Sequence, residues 1–274
     1  MAVFTQETTY KNLELPDVVY KYRFWDNSHQ HHKSILTRQE VFFASPLTFE
    51  DTKDCKILTR YDLLTNDEVY SRYLSDSYES NSTYTPTQHK AFADHWFKIS
   101  PLRDKVGVKN FMDEKFVELC NHFGVLSLTE KNALPEMWDK YSGGHSGLCV
   151  GFNSKIMFES IGGGGKVQYY EELPIIHPTP KHSFLEQITI QVYSKEEKWE
   201  FEQEYRTHKL FPVKYATVED RTIKLPKEAI REVILGALMP QKERTEVKKI
   251  IEAELPHVVI KQEVINADGS ITIN

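Results

Sequence analysis

Leu148-Cys149-Val150-Gly151-Phe152 is almost wholly apolar, so neither side of it suits water. Such a run predicts a strand buried on both faces, central in a sheet. β-branched and aromatic runs elsewhere supply its partners. Val18–Trp25 predicts a first strand and Val41–Ser45 a second, stopped by Pro46. Further strands are expected over Val125–Thr129, Lys166–Tyr170, Trp199–Phe211, Thr222–Leu225 and Glu232–Gly236. Val258–Ile265 and Ser270–Ile273 form a hairpin around the tight-turn pair Asp268-Gly269.

Helical spacing predicts a short helix over Lys33–Gln39 and another entered through Thr85-Pro86, with Phe92, Trp96 and Ile99 inward. A third carries Phe111, Met112, Phe116, Leu119, Cys120 and Phe123 and is ended by Gly124. Pro135–Tyr141 gives one or two turns, and Phe184–Lys195 and Pro240–Leu255 complete the set. Strands and helices mix without strict alternation, which points to an α+β fold. The expectation is one domain over residues 1–274, with a polar, mobile insertion at 50–86 and a C-terminal helix plus hairpin at 237–274.

The net charge of −6 argues against a general binder of nucleic acid or membrane surface. Cys55, Cys120 and Cys149 are widely spaced, without a C-x-x-C pair, and read as reduced thiols. The first residues lack a secretory pattern, and no apolar run approaches the roughly 20 residues of a membrane helix. A cytoplasmic protein with no membrane partner is expected.

Lys198-Trp199-Glu200-Phe201-Glu202-Gln203-Glu204-Tyr205-Arg206 concentrates the charge. As a strand it would put Trp199, Phe201 and Tyr205 on one face and Glu200, Glu202, Glu204 and Arg206 on the other. Three glutamates on one side repel unless a cation, a ligand or solvent takes up the charge. Two readings stay open: a solvated edge, or a site that holds a carboxylate against a substrate.

No nucleophile elbow, P-loop, dinucleotide fingerprint or H-E-x-x-H is present. Gly162–Gly165 lacks the Lys-Ser/Thr of a phosphate loop and reads as a connection; His29, His31 and His32 lack matching ligands for a metal and read as a solvated loop. Trp138 and Tyr141 share a face on a helical turn just before His145, which glycines flank. That grouping suits either a planar ligand or an aromatic core turn.

Several blocks resemble a bacterial family, domain of unknown function 2971. They are Tyr20-Lys21-Tyr22-Arg23, Val41–Pro46 with Phe49 and Asp51, Ser127–Glu130, the M-W-x-x-Y-x-x-x-H-x-G-x-C-x-G-F block at 137–152, and the W-x-x-E-x-E-Y-R pattern beginning at Trp199. The family's Asn-Asp-Pro-Phe-Asp turn is altered here to Glu50-Asp51-Thr52-Lys53-Asp54. The layout is also similar to the ADP-ribosyltransferase fold, which implies a split, mostly antiparallel sheet with flanking helices. By that likeness Arg23, with Tyr22, would meet the phosphates or ribose of NAD, and Ser45 or Ser127 would lie near the nicotinamide. Glu204, with Glu202, would be the catalytic carboxylate, and Arg206 would hold it ionised and aimed. Trp138, Tyr141 and His145 would complete the ligand cleft.

The resemblance implies ADP-ribosyl transfer from NAD to a macromolecular acceptor, or NAD breakdown, in a defence or toxin setting, with no metal. Two rivals stand beside it. One is a metal-dependent nuclease or phosphodiesterase with Asp51, Asp54, Glu202 and Glu204 as ligands. The other is a non-catalytic sensor that binds a nucleotide or a protein.

Overall fold

In the computed structural model, which describes residues 15–28, 30–51, 53–211 and 215–274 (Gln30 and His31 for backbone only), the run 148–152 is a central, fully buried strand. The chain divides into two compact units. The first comprises the described residues up to Cys55, Asn121–Leu173 and Val192–Asn274; the second comprises Lys56–Cys120 and Pro174–Gln191.

The first unit holds twelve strands: β1 (Val18–Arg23), β2 (Glu40–Phe42), β3 (Phe123–Thr129), β4 (Leu148–Asn153), β5 (Gly165–Lys166), β6 (Gln168–Tyr170), β7 (Ser194–Glu196), β8 (Glu204–Leu210), β9 (Thr222–Lys224), β10 (Ile230–Leu235), β11 (Val259–Ile265) and β12 (Ile271–Ile273). Eight of them make one sheet in the order β12-β11-β10-β4-β1-β3-β8-β5, antiparallel except for β10 against β11. The α+β class is as the mixture of strands and helices predicts, the sheet is mostly antiparallel, and the C-terminal hairpin forms as expected.

Helices α1 (Gln30–Thr37), α2 (Asn66–Ser80), α3 (Pro86–Lys98), α4 (Lys105–His122), α5 (Pro135–Tyr141), α6 (Ser154–Ile161), α7 (Phe184–Tyr193), α8 (Val218–Arg221) and α9 (Gln241–Glu254) complete the chain. The main core lies on one side of the sheet, where Val19, Val150, Phe152 and Val233 meet Met157 and Phe158 of α6 and Val247 and Ile251 of α9. On the other side Tyr20, Tyr22, Cys149 and Ile234 pack against Met137 and Trp138 of α5.

One irregularity positions the site. β1 pairs with β4 over six consecutive residues but meets β3 only at Tyr20–Thr129. Past that pair β1 and β3 part, and the gap is bridged by a side chain: Lys21 Nζ donates to Ser127 O at 2.6 Å.

The second unit contains α2, α3 and most of α4 and α7. The polar stretch at 50–86, expected to be a mobile insertion, carries the 15-residue α2, started by a Thr65–Glu68 capping box. On α3 the buried residues are His89 and Ala93, whereas Trp96 and Ile99 are 43% and 59% exposed, so the apolar face predicted there is not the inward one. Gly124 does not terminate α4 but lies in β3, where a side chain would clash with the carbonyl of Phe43.

Candidate active site

The acidic segment is not a continuous strand. Glu197–Glu202 is a 3-10 turn, Gln203 takes a left-handed conformation (φ 43°), and β8 starts only at Glu204. The turn removes the repulsion a strand would impose: Glu200 goes to solvent, while Glu202 and Glu204 are buried. Phe201, expected on the apolar face, is 40% exposed.

Glu202 and Glu204 line a cleft of about 290 Å³ at the split between β1 and β3. Lys21 and Arg23 face it from β1, Ser127 and Thr129 from β3, and Lys140, Tyr141 and Trp199 from beside the acidic turn.

The carboxylate end is closed on itself. Arg206, fully buried, grips Glu204 with two prongs, Nε to Oε1 at 2.7 Å and Nη2 to Oε2 at 2.8 Å. Its other contacts are Asp54 at 2.7 Å, the carbonyl of Val192 and the sulfur of Cys55. Lys195 donates to Glu202 at 2.5 Å and to Glu204 at 3.0 Å. Burial pushes the Glu204 carboxyl up, but Arg206, Lys195 and a hydrogen bond from Ser127 outweigh it and hold the group at about 2. A carboxylate has about four lone-pair sites, and on Glu204 three of them accept from Lys195 and from the two prongs of Arg206. Among the described residues Glu202 accepts at two, from Lys195 and from the hydroxyl of Tyr141 at 3.1 Å. It is the carboxylate with more acceptor capacity left.

The opposite wall obeys a different rule. Burial, and then the neighbouring Arg23, push the Lys21 ammonium down to about 7, against a weaker pull from Glu204 and Glu202. Burial alone lowers Arg23 to about 10, with no carboxylate contributing, and its Nε is buried without a hydrogen-bond partner. These are desolvated cations with no carboxylate at ion-pair distance among the described residues.

Of the residues singled out from the sequence, Tyr22, Arg23, Ser127, Tyr141, Glu202 and Glu204 line the cleft. Arg206 lies beneath it, fully buried. Three expected residues are elsewhere. Ser45 caps the 3-10 turn Pro46–Thr48. Trp138 is a core residue, edge-on to Tyr22 at 5.2 Å, and its indole donates to the carbonyl of Asn132. His145 pairs through Nδ1 with the buried Glu263 at 2.6 Å. Of the glycines around His145, Gly143 and Gly144 take left-handed backbone (φ 66° and 61°), and Gly147 lets the chain pack, since a Cβ on it would sit 2.2 Å from the carbonyl of Arg23. His29 and the side chain of His31 fall outside the described residues. His32, read as part of a solvated loop, lines the cleft and holds Asp26 at 2.7 Å.

Sequence reasoning missed Lys21 and Lys195. Lys21 was legible in principle, two residues before Arg23 and on the same side of a strand. Lys195 was not, because only the turn at 197–202 folds it back onto the glutamates.

No group of three or more His, Cys, Asp or Glu among the described residues is arranged to hold a metal ion. Asp54, Glu202 and Glu204, which a nuclease would use as ligands, are instead bound to Lys195 and Arg206. No helix of the described residues is long and apolar enough to cross a membrane. No protein-family model, curated protein or solved structure matches the chain.

Proposed function

We propose that this chain is an NAD-dependent ADP-ribosyltransferase or NAD glycohydrolase, built on an ADP-ribosyltransferase-like split sheet. The observation that carries the reading is a single cleft lined both by fixed, buried carboxylates and by the desolvated cations Lys21 and Arg23. Loss of nicotinamide breaks the ribose C1–N bond, and the electron pair leaves with the ring. Positive charge then develops on the sugar, where a carboxylate already fixed in place stabilises it. Water or an acceptor nucleophile attacks C1 and gives up a proton.

Glu202 takes the sugar in this reading, since it retains acceptor capacity. Glu204 acts as a positioning residue that fixes Lys195 and, through it, Glu202. Tyr141 and Trp199 supply aromatic walls for the nicotinamide, and Arg23 with Lys21 supplies charge for the pyrophosphate. The motif resemblance supports the same chemistry and carries with it the suggestion of a macromolecular acceptor and a role in bacterial defence or toxicity.

The test is release of nicotinamide from NAD in excess chelator, with label from NAD followed into protein, nucleic acid or free ADP-ribose. Glu202→Gln should lower the rate on the order of a hundredfold or more, with thermal melting as the check that the chain is still folded at the assay temperature. NAD left intact by the wild type, or full turnover by Glu202→Gln, would sink the proposal. Phosphodiester cleavage that stops with chelator would put the nuclease in its place.

A further inference from the structure

A second cavity, of about 220 Å³, shares Lys21, Arg23, His32, Phe49 and Ser127 with the first. Its remaining lining is Phe42, Ala44 and Val125, all apolar. The two differ in chemistry. The first lobe carries the glutamates, Lys140, Tyr141 and Trp199, whereas the second adds to the shared wall only Phe42 and small aliphatic groups and has no carboxylate in its lining. The cations belong to both, and so stand between the lobes rather than at the end of either.

That placement constrains the ligand. A terminal phosphate would sit at the closed end of one lobe, with chain on one side only. A phosphate at a shared wall has room for an organic group on each side. Lys21 and Arg23 are i and i+2 on β1, so they present two cations on one side of the strand, and burial outweighs the pull of the glutamates on Lys21 while no carboxylate acts on Arg23. Arg23 keeps an unpartnered buried Nε, which a phosphate oxygen would satisfy. The apolar lobe, with Phe42 and Phe49 in its wall, suits a flat heteroaromatic ring, which stacks on phenylalanine through dispersion and needs no charged partner.

We propose that Lys21 and Arg23 hold an internal phosphate or pyrophosphate of a two-ended ligand, whose planar base fills the lobe of Phe42, Ala44, Phe49 and Val125 and whose sugar reaches the glutamate lobe. This rests on the NAD reading only for what occupies the glutamate lobe. The requirement for organic groups on both sides of the phosphate is independent of any turnover.

Calorimetric titration of the wild-type chain with ADP-ribose, AMP, ribose 5-phosphate and inorganic pyrophosphate tests it. ADP-ribose should bind at least tenfold more tightly than any of the other three. Ala44→Phe, which fills the apolar lobe, should cut ADP-ribose affinity about tenfold and leave ribose 5-phosphate unchanged, with thermal melting as the check on folding. The wild-type series decides alone if Ala44→Phe does not fold. ADP-ribose binding no tighter than ribose 5-phosphate, or binding unaltered in a folded Ala44→Phe chain, overturns the inference. ADP-ribose bound with the expected preference but NAD left intact overturns the catalytic proposal and leaves this one standing.

Discussion

The two groups of charge at the cleft differ in how far the protein itself pairs them. Around Arg206 every charge is met: Glu204 and Asp54 close on the guanidinium, and Lys195 ties Glu204 to Glu202. On β1, Lys21 and Arg23 are desolvated, and among the described residues the hydrogen bond from Lys21 to the carbonyl of Ser127 is the one their side chains make. A buried charge costs free energy unless it is paired. The closed cluster offsets that cost within the protein, and the open pair leaves it to be offset by whatever binds.

The comparison breaks most sharply at Arg206. Arg206→Met should strand Glu204 and Asp54 without their main cation and destabilise the fold by roughly 3–5 kcal/mol. Thermal melting should show a fall of about 10 °C. A shift within 2 °C (roughly the effect of 1 kcal/mol or less) would mean that the cluster is not closed as described.

Acid should open the same cluster. The Glu204 carboxyl ionises near 2 in the folded chain and near its ordinary 4.5 when unfolded. The unfolded chain therefore binds the extra proton, and the stability from Glu204 is fully present above pH 4.5 and lost as pH falls toward 2. Denaturant titrations across that window should lose on the order of 3 kcal/mol from this group, and Glu204→Gln should flatten the curve.

Lys21 should behave in the opposite sense. Its folded value of about 7 lies below the ordinary 10.5, so the folded chain holds fewer protons between those limits and stability rises with pH across them. At pH 6 Lys21→Met should stabilise the fold by about 1–2 kcal/mol while weakening ADP-ribose binding tenfold or more. Ligand binding should take up a proton near pH 7, seen as buffer-dependent heats of binding. A destabilised Lys21→Met chain would mean that the amine is structural.

The smallest effect belongs to Glu200. It is exposed, so Glu200→Gln should move stability by no more than about 0.5 kcal/mol in a denaturant titration. A larger shift would return it to the charged face that the simple alternation assigns.

Much of the fold was legible because its signals are local. β4 announces itself by lacking a polar side, and the Asp268-Gly269 turn by its dipeptide. The capping residue and proline at Thr85-Pro86 mark where α3 begins. The site was legible in part. Arg23, Tyr141 and the glutamates reach one cleft, but alternation failed over Trp199–Arg206 because a 3-10 turn relieves a repulsion that alternation ignores. The Trp138–His145 grouping misled for a related reason. Its Gly147 marks a close approach to β1, and an approach between backbones looks the same in sequence as an approach to a ligand.

By itself the sequence determined the α+β class, the buried central strand and the stock of charged residues near position 200, since periodicity and residue chemistry act over a few neighbours. Only the tertiary structure decided which of those charges are paired. Pairing depends on distances between residues such as Asp54, Lys195 and Arg206, which no local pattern encodes. For that reason the unpaired Lys21 and Arg23 became visible only once the strands β1 and β3 were seen to part.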